Sequence, residues 1–328
     1  MKRFGSTSLT LAFAAAAVVL NGCGGHWPQA QSLPAGGDVA AHRLSWMAPA
    51  ATSKNLLYVS EHENVLVYDY GTDNQVGELD YFTSAAGTCT DAEGDVFVTN
   101  YSAADVLAFA HGKSAPIKTL IDPSPYPTDC AVDPSTGNLA VVNQYGESEY
   151  TPGNVAIYSG AKGKPKTYKM AGFSMYLSGA YDARGDLLVS DVESSGVKFA
   201  MLPHGGSKFE AITLPHSGQW TGPGFVRWDG TYFDVEFTIG ETSIFVWYTI
   251  KGSKGTQEGY TSTEESGEVG GPFWLGRIGG PKSVKRANQL VVGTYDGVTG
   301  WDYPRGGDYI FQLYDDQRAG GVSASLVR

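Results

Sequence analysis

One phrase recurs along this chain and limits what it can fold into. An Asp opens a short turn that ends in Gly, an apolar run follows, and a small polar residue closes it. The clearest copies are Asp91–Asn100 (DAEGDVFVTN), Asp133–Asn143 (DPSTGNLAVVN) and Asp182–Asp191 (DARGDLLVSD). Weaker copies are Lys54–Ser60 (KNLLYVS), Asp229–Glu236 (DGTYFDVE) and Asn288–Thr294 (NQLVVGT). Their apolar runs start at Leu56, Val96, Leu139, Leu187, Tyr232 and Leu290. A period of about 40–50 residues is that of propeller blades. The longest gap contains residues 251–272, rich in Gly, Ser, Thr and Glu, which read as an inserted loop.

Each copy carries further strands. Asn64–Tyr68, Asp105–Phe109 and Asn154–Tyr158 follow it and end on an aromatic, Pro116–Leu120 follows a Gly-Lys turn, and Thr128–Val132 precedes an Asp. Four strands per unit is the content of a blade. The main runs are continuous rather than alternating, which implies burial on both faces. The expected fold is therefore all-β: a six-bladed propeller of four-stranded antiparallel blades. A β-sandwich gives no reason for six similar phrases. The first copy lacks a strand before Lys54, and Gly321–Val327 is left over at the end. Pairing the two closes the ring and removes the open sheet edge. Residues 43–328 form this domain in the sequence reading.

The start of the chain reads differently. Lys2 and Arg3 precede an apolar run from Leu9 to Leu20, too short for a membrane span of about 20 residues. Residues 1–22 read as an export signal. Leu20-Asn21-Gly22-Cys23 resembles the bacterial lipobox, which implies acylation of Cys23 and a membrane anchor, in the outer membrane of a Gram-negative cell. Asn21 departs from the usual small residue there. Residues 23–42, with Gly24, Gly25, Pro28, Pro34, Gly36 and Gly37, read as a flexible tether. The expected location is the cell envelope or the outside of the cell.

Charge excludes one class of partner. The chain has 23 basic and 34 acidic residues, a balance of −11, and loss of Lys2 and Arg3 makes it more acidic still. Nucleic acid needs a basic face and is not expected. A monomer is expected. In an oxidising compartment Cys89 and Cys130 can persist as a disulfide. Alternation along their strands points them to opposite faces of neighbouring blades, so they are expected to meet between blades two and three. Two buried free thiols are the alternative.

The phrase Tyr126–Asp133 (YPTDCAVD) followed by Gly137-Asn138-Leu139 resembles the NHL repeat and the related gluconolactonase/regucalcin-like six-bladed propellers. It is also similar to a group of secreted propeller lipoproteins of soil bacteria. The resemblance covers most of residues 43–328 and speaks to fold more than to function. In gluconolactonase-like propellers, acidic and amide side chains at the channel mouth hold one divalent cation. By that resemblance Glu61, Asn100, Asn143, Asp191 and Glu236 are candidate ligands for Ca²⁺ or another hard cation. Asp191 is also the candidate base of a lactonase- or esterase-like hydrolase. Ser60 and Thr294, which complete the set of strand ends, are poor ligands. The competing account is structural: Asn and Asp at strand ends commonly bond the backbone of the next turn. Asp91, Asp133 and Asp182 read as turn formers.

No Gly-x-Ser-x-Gly, His-Glu-x-x-His, Cys-x-x-Cys or Walker loop is present. The preferred function is a binding or scaffold module at the envelope. Its protein, small-molecule or carbohydrate ligand is expected on loops holding Tyr145, Tyr150 and Tyr260.

Overall fold

The computed structural model describes residues 44–193, 196–216, 221–240, 242–263, 271–278, 286–314 and 317–327. The export signal, Cys23 and the whole tether lie outside these. Six antiparallel sheets form a ring of blades. Blade two shows the plan. Ala85–Thr90 is innermost, then Val96–Asn100, Asp105–Phe109 and, outermost, Pro116–Ile121. Blade three has Pro127–Val132, Leu139–Tyr145, Pro152–Tyr158 and Lys166–Tyr168 in the same order. Blade four has Tyr176–Tyr181, Leu187–Glu193, Gly196–Leu202 and Glu210–Ile212. Blade five has Val226–Trp228, Phe233–Ile239, Thr242–Lys251 and Lys254–Ser262. Blade six has Phe273–Gly276, Gln289–Thr294, Gly297–Asp302 and Tyr309–Tyr314.

Blade one closes the ring. Gly321–Ser325 is its innermost strand and pairs with Leu56–Ser60, with Leu56 opposite Ser325 and Ser60 opposite Gly321. Val65–Asp69 and Gln75–Leu79 follow, and Trp46–Met47 adds a fifth strand at the outer edge.

The continuous apolar runs have a direct use. Within Val96–Val98, Val96 and Val98 enter the core between blades one and two, while Phe97 enters the core between blades two and three. Leu139 and Val141 likewise face blade two, and Ala140 and Val142 face blade four. Each run is thus shared by two interfaces. A fully buried Val, Leu or Phe contributes about 1.5–3 kcal/mol.

The structure fixes the place of the apolar phrase and corrects one expectation. The apolar phrase is the second strand of each blade, one position out from the axis. The innermost strands of blades one to three crowd one another and take small residues: a Cβ on Gly87 would lie 2.5 Å from Asp129 Cα, and one on Gly321 would lie 2.4 Å from Ala86 O. Blades four to six, whose inner strands carry Tyr176, Trp228 and Phe273, are less tightly drawn in at those positions. Residues 251–272 are also not simply a loop. Lys254–Ser262 is the outer strand of blade five, polar because its outer side meets solvent. Tyr260 therefore lies on a strand at the rim, 57% exposed.

The antiparallel plan gives the ring two unlike ends. One end, the turn face, holds the turns from innermost to second strand and from third to outermost. The other, the loop face, holds the connections from second to third strand and from blade to blade.

Candidate functional site

The candidate ligand residues all fall at the loop-face end of second strands, but each is engaged with its own surroundings. Asn100 Oδ1 accepts from the Thr83 and Ser84 amides and the Thr83 hydroxyl, each at 3.1 Å. Asp191 Oδ1 accepts from the Ser174 amide at 2.8 Å and the Met175 amide at 2.6 Å. Asn143 Nδ2 donates to Asp122 Oδ1 and Asn154 Oδ1, both at 3.1 Å. Glu236 Oε1 accepts from the Ser243 hydroxyl at 3.0 Å. Glu61 is buried in the turn after Leu56–Ser60, its amide donating to Asn64 O. Ser60 donates to Ala86 O, and Thr294 is buried. Asn100, Asn143 and Asp191 thus fasten connections between blades, while Glu236 bridges two strands of blade five. Among the described residues no group of three or more His, Cys, Asp or Glu side chains is arranged to hold a metal ion. Asn143 Oδ1, Asp191 Oδ2 and Glu236 Oε2 are nevertheless buried with no hydrogen-bond partner among the described residues.

Burial leaves a mark on Asp191, Glu236 and the neighbouring Asp122. It pushes Asp191 up to about 6 against its two amide donors, and Glu236 up to about 8 against the Ser243 hydroxyl and the Arg318 charge. Asp122 rises to about 6 for the same reason.

Tyr145 and Tyr150 do belong to one concave site. A cavity of about 430 Å³ opens on the loop face between blades three and four. One wall is the hairpin after Leu139–Tyr145, with Tyr145, Glu149 and Tyr150. The floor and far wall are Ser174, Met175 and Glu193 from blade four and its approach. Thr151 holds the hairpin tight. Its amide donates to Ser148 O at 2.9 Å, and its hydroxyl accepts from the Ser148 amide at 3.0 Å. Glu149 and Tyr150 are therefore presented outward, Tyr150 at 96% exposure. Gly153 lets the hairpin strand approach closely: a Cβ there would lie 2.1 Å from Asn143 O. Its amide donates to Ser174 O at 3.1 Å, tying the hairpin to the floor. Asp191 fixes the Ser174–Met175 backbone from behind.

Aromatic rings continue from the site across blade two. Tyr145 meets Tyr126 edge-on at 6.0 Å, and Tyr126 lies 5.1 Å from Tyr101. Tyr126 has φ +72°, a conformation unusual for a bulky residue and frequent at binding sites. The Tyr145 hydroxyl contacts Met175 Sδ at 3.1 Å. Burial, with the Glu149 charge adding, pushes that hydroxyl's pKa up. Glu193 is paired with Lys198 at 2.6 Å and accepts from the Ser174 hydroxyl at 3.2 Å.

Sequence reasoning missed two polar clusters. Asp129, Ser178 and Arg227 are on the innermost strands of blades three, four and five. Arg227 Nη1 and Nη2 grip the Asp129 carboxylate at 2.8 and 3.1 Å, and its Nε donates to Phe273 O of blade six at 2.7 Å. One side chain links the inner strands of four blades. Its signal was a charge inside a short apolar strand. Between blades five and six, Arg286 Nε donates to Asp229 Oδ2 at 2.7 Å and its guanidinium lies 4.0 Å from the Trp247 ring centre. The Tyr303 hydroxyl is 2.7 Å from both Asp229 Oδ2 and Asp234 Oδ1. A phenol has one proton. Asp234, whose pKa burial and the Asp229 charge raise well above the usual range, supplies the second.

Cys89 and Cys130 form a disulfide between the innermost strands of blades two and three, with Cα atoms 5.6 Å apart.

No protein-family profile and no curated protein matches the sequence. Solved structures share the fold. A chain of the Nidogen/Laminin complex superposes with a TM-score of 0.62 at 13% identity, covering 83% of this chain and 98% of that one. The β-propeller domain of Myceliophteria thermophila Cps50 (Swd1) gives 0.54 at 9% identity, covering 85% and 89%. At these identities the likeness is one of fold: this chain is a six-bladed β-propeller.

Proposed function

We propose that the chain is a binding module that works from its loop face, displayed at the cell envelope by a lipid on Cys23. The observation that carries the reading is the cavity between blades three and four. Two tyrosines and two carboxylates line it, from the hairpin and from blade four, beside an aromatic row. Concave sites with a few placed polar groups are where ligands bind. The propeller fold commonly serves such roles, and one fold neighbour comes from a structure of a protein complex. A divalent-cation hydrolase at the channel mouth is the second reading, supported by the buried, unpartnered oxygens of Asn143, Asp191 and Glu236; metal content of the purified chain tests it.

Thermal unfolding of the mature chain with a panel of amines, oligosaccharides and short peptides tests the reading. A ligand of the native state raises the melting temperature. The rise should vanish in the Glu149→Gln/Tyr150→Ala double variant, which melts like the parent when alone. Equal stabilisation of both proteins would move the site elsewhere. No shift from any class would remove ligand binding as the function.

A further inference from the structure

We infer that the loop-face cavity takes a flexible organic cation: an ammonium or guanidinium at the end of an alkyl chain, as in a Lys or Arg side chain or a polyamine. The inference rests on the loop face being the binding face and adds the class of ligand.

Four observations point to a cation. No Lys or Arg lines the cavity, whereas Glu149 and Glu193 do. Glu149 makes no ion pair among the described residues, so its charge is uncompensated at the cavity wall. Glu193 already binds one ammonium, that of Lys198, and keeps it on the strand side. Tyr145 and Tyr150 supply ring faces and Met175 a polarisable sulfur, which together suit an alkyl stem with a cationic head.

The molecule shows the same chemistry twice with its own side chains. Arg286 sits over Trp247 and 5.0 Å from the Tyr232 and Tyr303 ring centres with Asp229 behind it. Arg227 pairs with Asp129 at 2.8 Å and lies 5.9 Å from the Phe273 ring centre. Carboxylate plus aromatic is thus the way this chain holds guanidinium, and the loop-face cavity offers that combination without an occupant from its own lining. The setting adds to the attraction. Glu147, on the same hairpin, is exposed, and the chain as a whole is acidic.

Isothermal titration of the mature chain with spermidine and with tetralysine tests the inference. Tetralysine amide acetylated at every amine, and maltotetraose, serve as neutral controls, and Glu149→Gln, Tyr150→Ala and Glu93→Gln as variants. Both cations should bind, and the tighter one identifies the source, free amine or peptide. Glu149→Gln and Tyr150→Ala should each weaken binding about tenfold. High salt should weaken it further. Glu93→Gln removes an exposed charge on the opposite face and should leave affinity unchanged. Equal binding of acetylated tetralysine, an unchanged affinity in Glu149→Gln, or an equal loss in Glu93→Gln would each overturn the inference. Maltotetraose binding that is lost in Tyr150→Ala but kept in Glu149→Gln would replace the cation by a sugar and leave the loop-face reading standing. Binding of no probe at the cavity would remove both.

Discussion

On the turn face, Asp91, Asp133, Asp182 and Asp229 all do the same thing: Oδ1 accepts from the amide two residues along, at 2.7–2.9 Å. On the loop face, connections differ from blade to blade, from the short turn after Asn100 to the hairpin that carries Glu149 and Tyr150. The turn face is fixed by what a tight turn requires, so it repeats. The loop face is fixed only by having to reach the next strand, so it is free to carry a site. Asp229 is the one exception on the repeating face. Its Oδ1 serves the turn, but its Oδ2 holds Arg286 and Tyr303 of blade six.

Breaking that exception should have the largest effect. Arg286→Ala leaves Asp229 buried without its cation and beside Asp234, and should cost on the order of 3–5 kcal/mol in urea unfolding. Next comes the disulfide. Cys89 and Cys130 are separated by 41 residues in sequence, and reduction or Cys130→Ser should cost about 2–4 kcal/mol. A third test uses pH on the loop face. Burial raises the folded pKa of Glu236 to about 8 from an ordinary 4.5. The folded state therefore holds its proton more tightly than the unfolded one, and the associated stability is full below about pH 4.5 and is lost as pH rises through about 8. The parent should be less stable at pH 8 than at pH 5. Glu236→Gln should recover on the order of 2 kcal/mol at pH 8 and flatten the profile, read by urea midpoints at the two pH values.

Smaller effects sharpen the contrast between faces. Asp182→Ala loses a turn bond and should cost about 1 kcal/mol without touching ligand binding. Tyr150→Ala should change stability by less than about 0.5 kcal/mol, because the side chain is exposed, while weakening binding. Calorimetry on the two variants side by side gives opposite patterns if the two faces divide the work as described.

The same division explains what was legible in the sequence. The Asp-turn-Gly phrase and the two-faced apolar runs are local consequences of the blade, so six blades and their closure by Gly321–Ser325 could be read directly. Which strand lies innermost could not. Strands such as Ala85–Thr90 and Val226–Trp228 are short and partly polar, and their place depends on how closely Gly87 and Gly321 let neighbours approach. Lys254–Ser262 was obscured because an outer strand wetted on one side has the composition of a loop. At the site, Tyr145 and Tyr150 were visible as aromatics in a polar hairpin. Ser174, Met175 and Glu193 were not, because blade four brings them there and nothing in their own segment marks them. The Arg286 cluster was hidden for the same reason, its members being 57 and 17 residues from Arg286 along the chain.

Amide hydrogen exchange with and without saturating tetralysine tests most directly whether the loop face is the working face. Exchange should slow at residues 144–153 and 172–176 and stay unchanged in the turns at 133–138 and 182–186. Slowing confined to those turns, with the hairpin unaffected, would contradict the account.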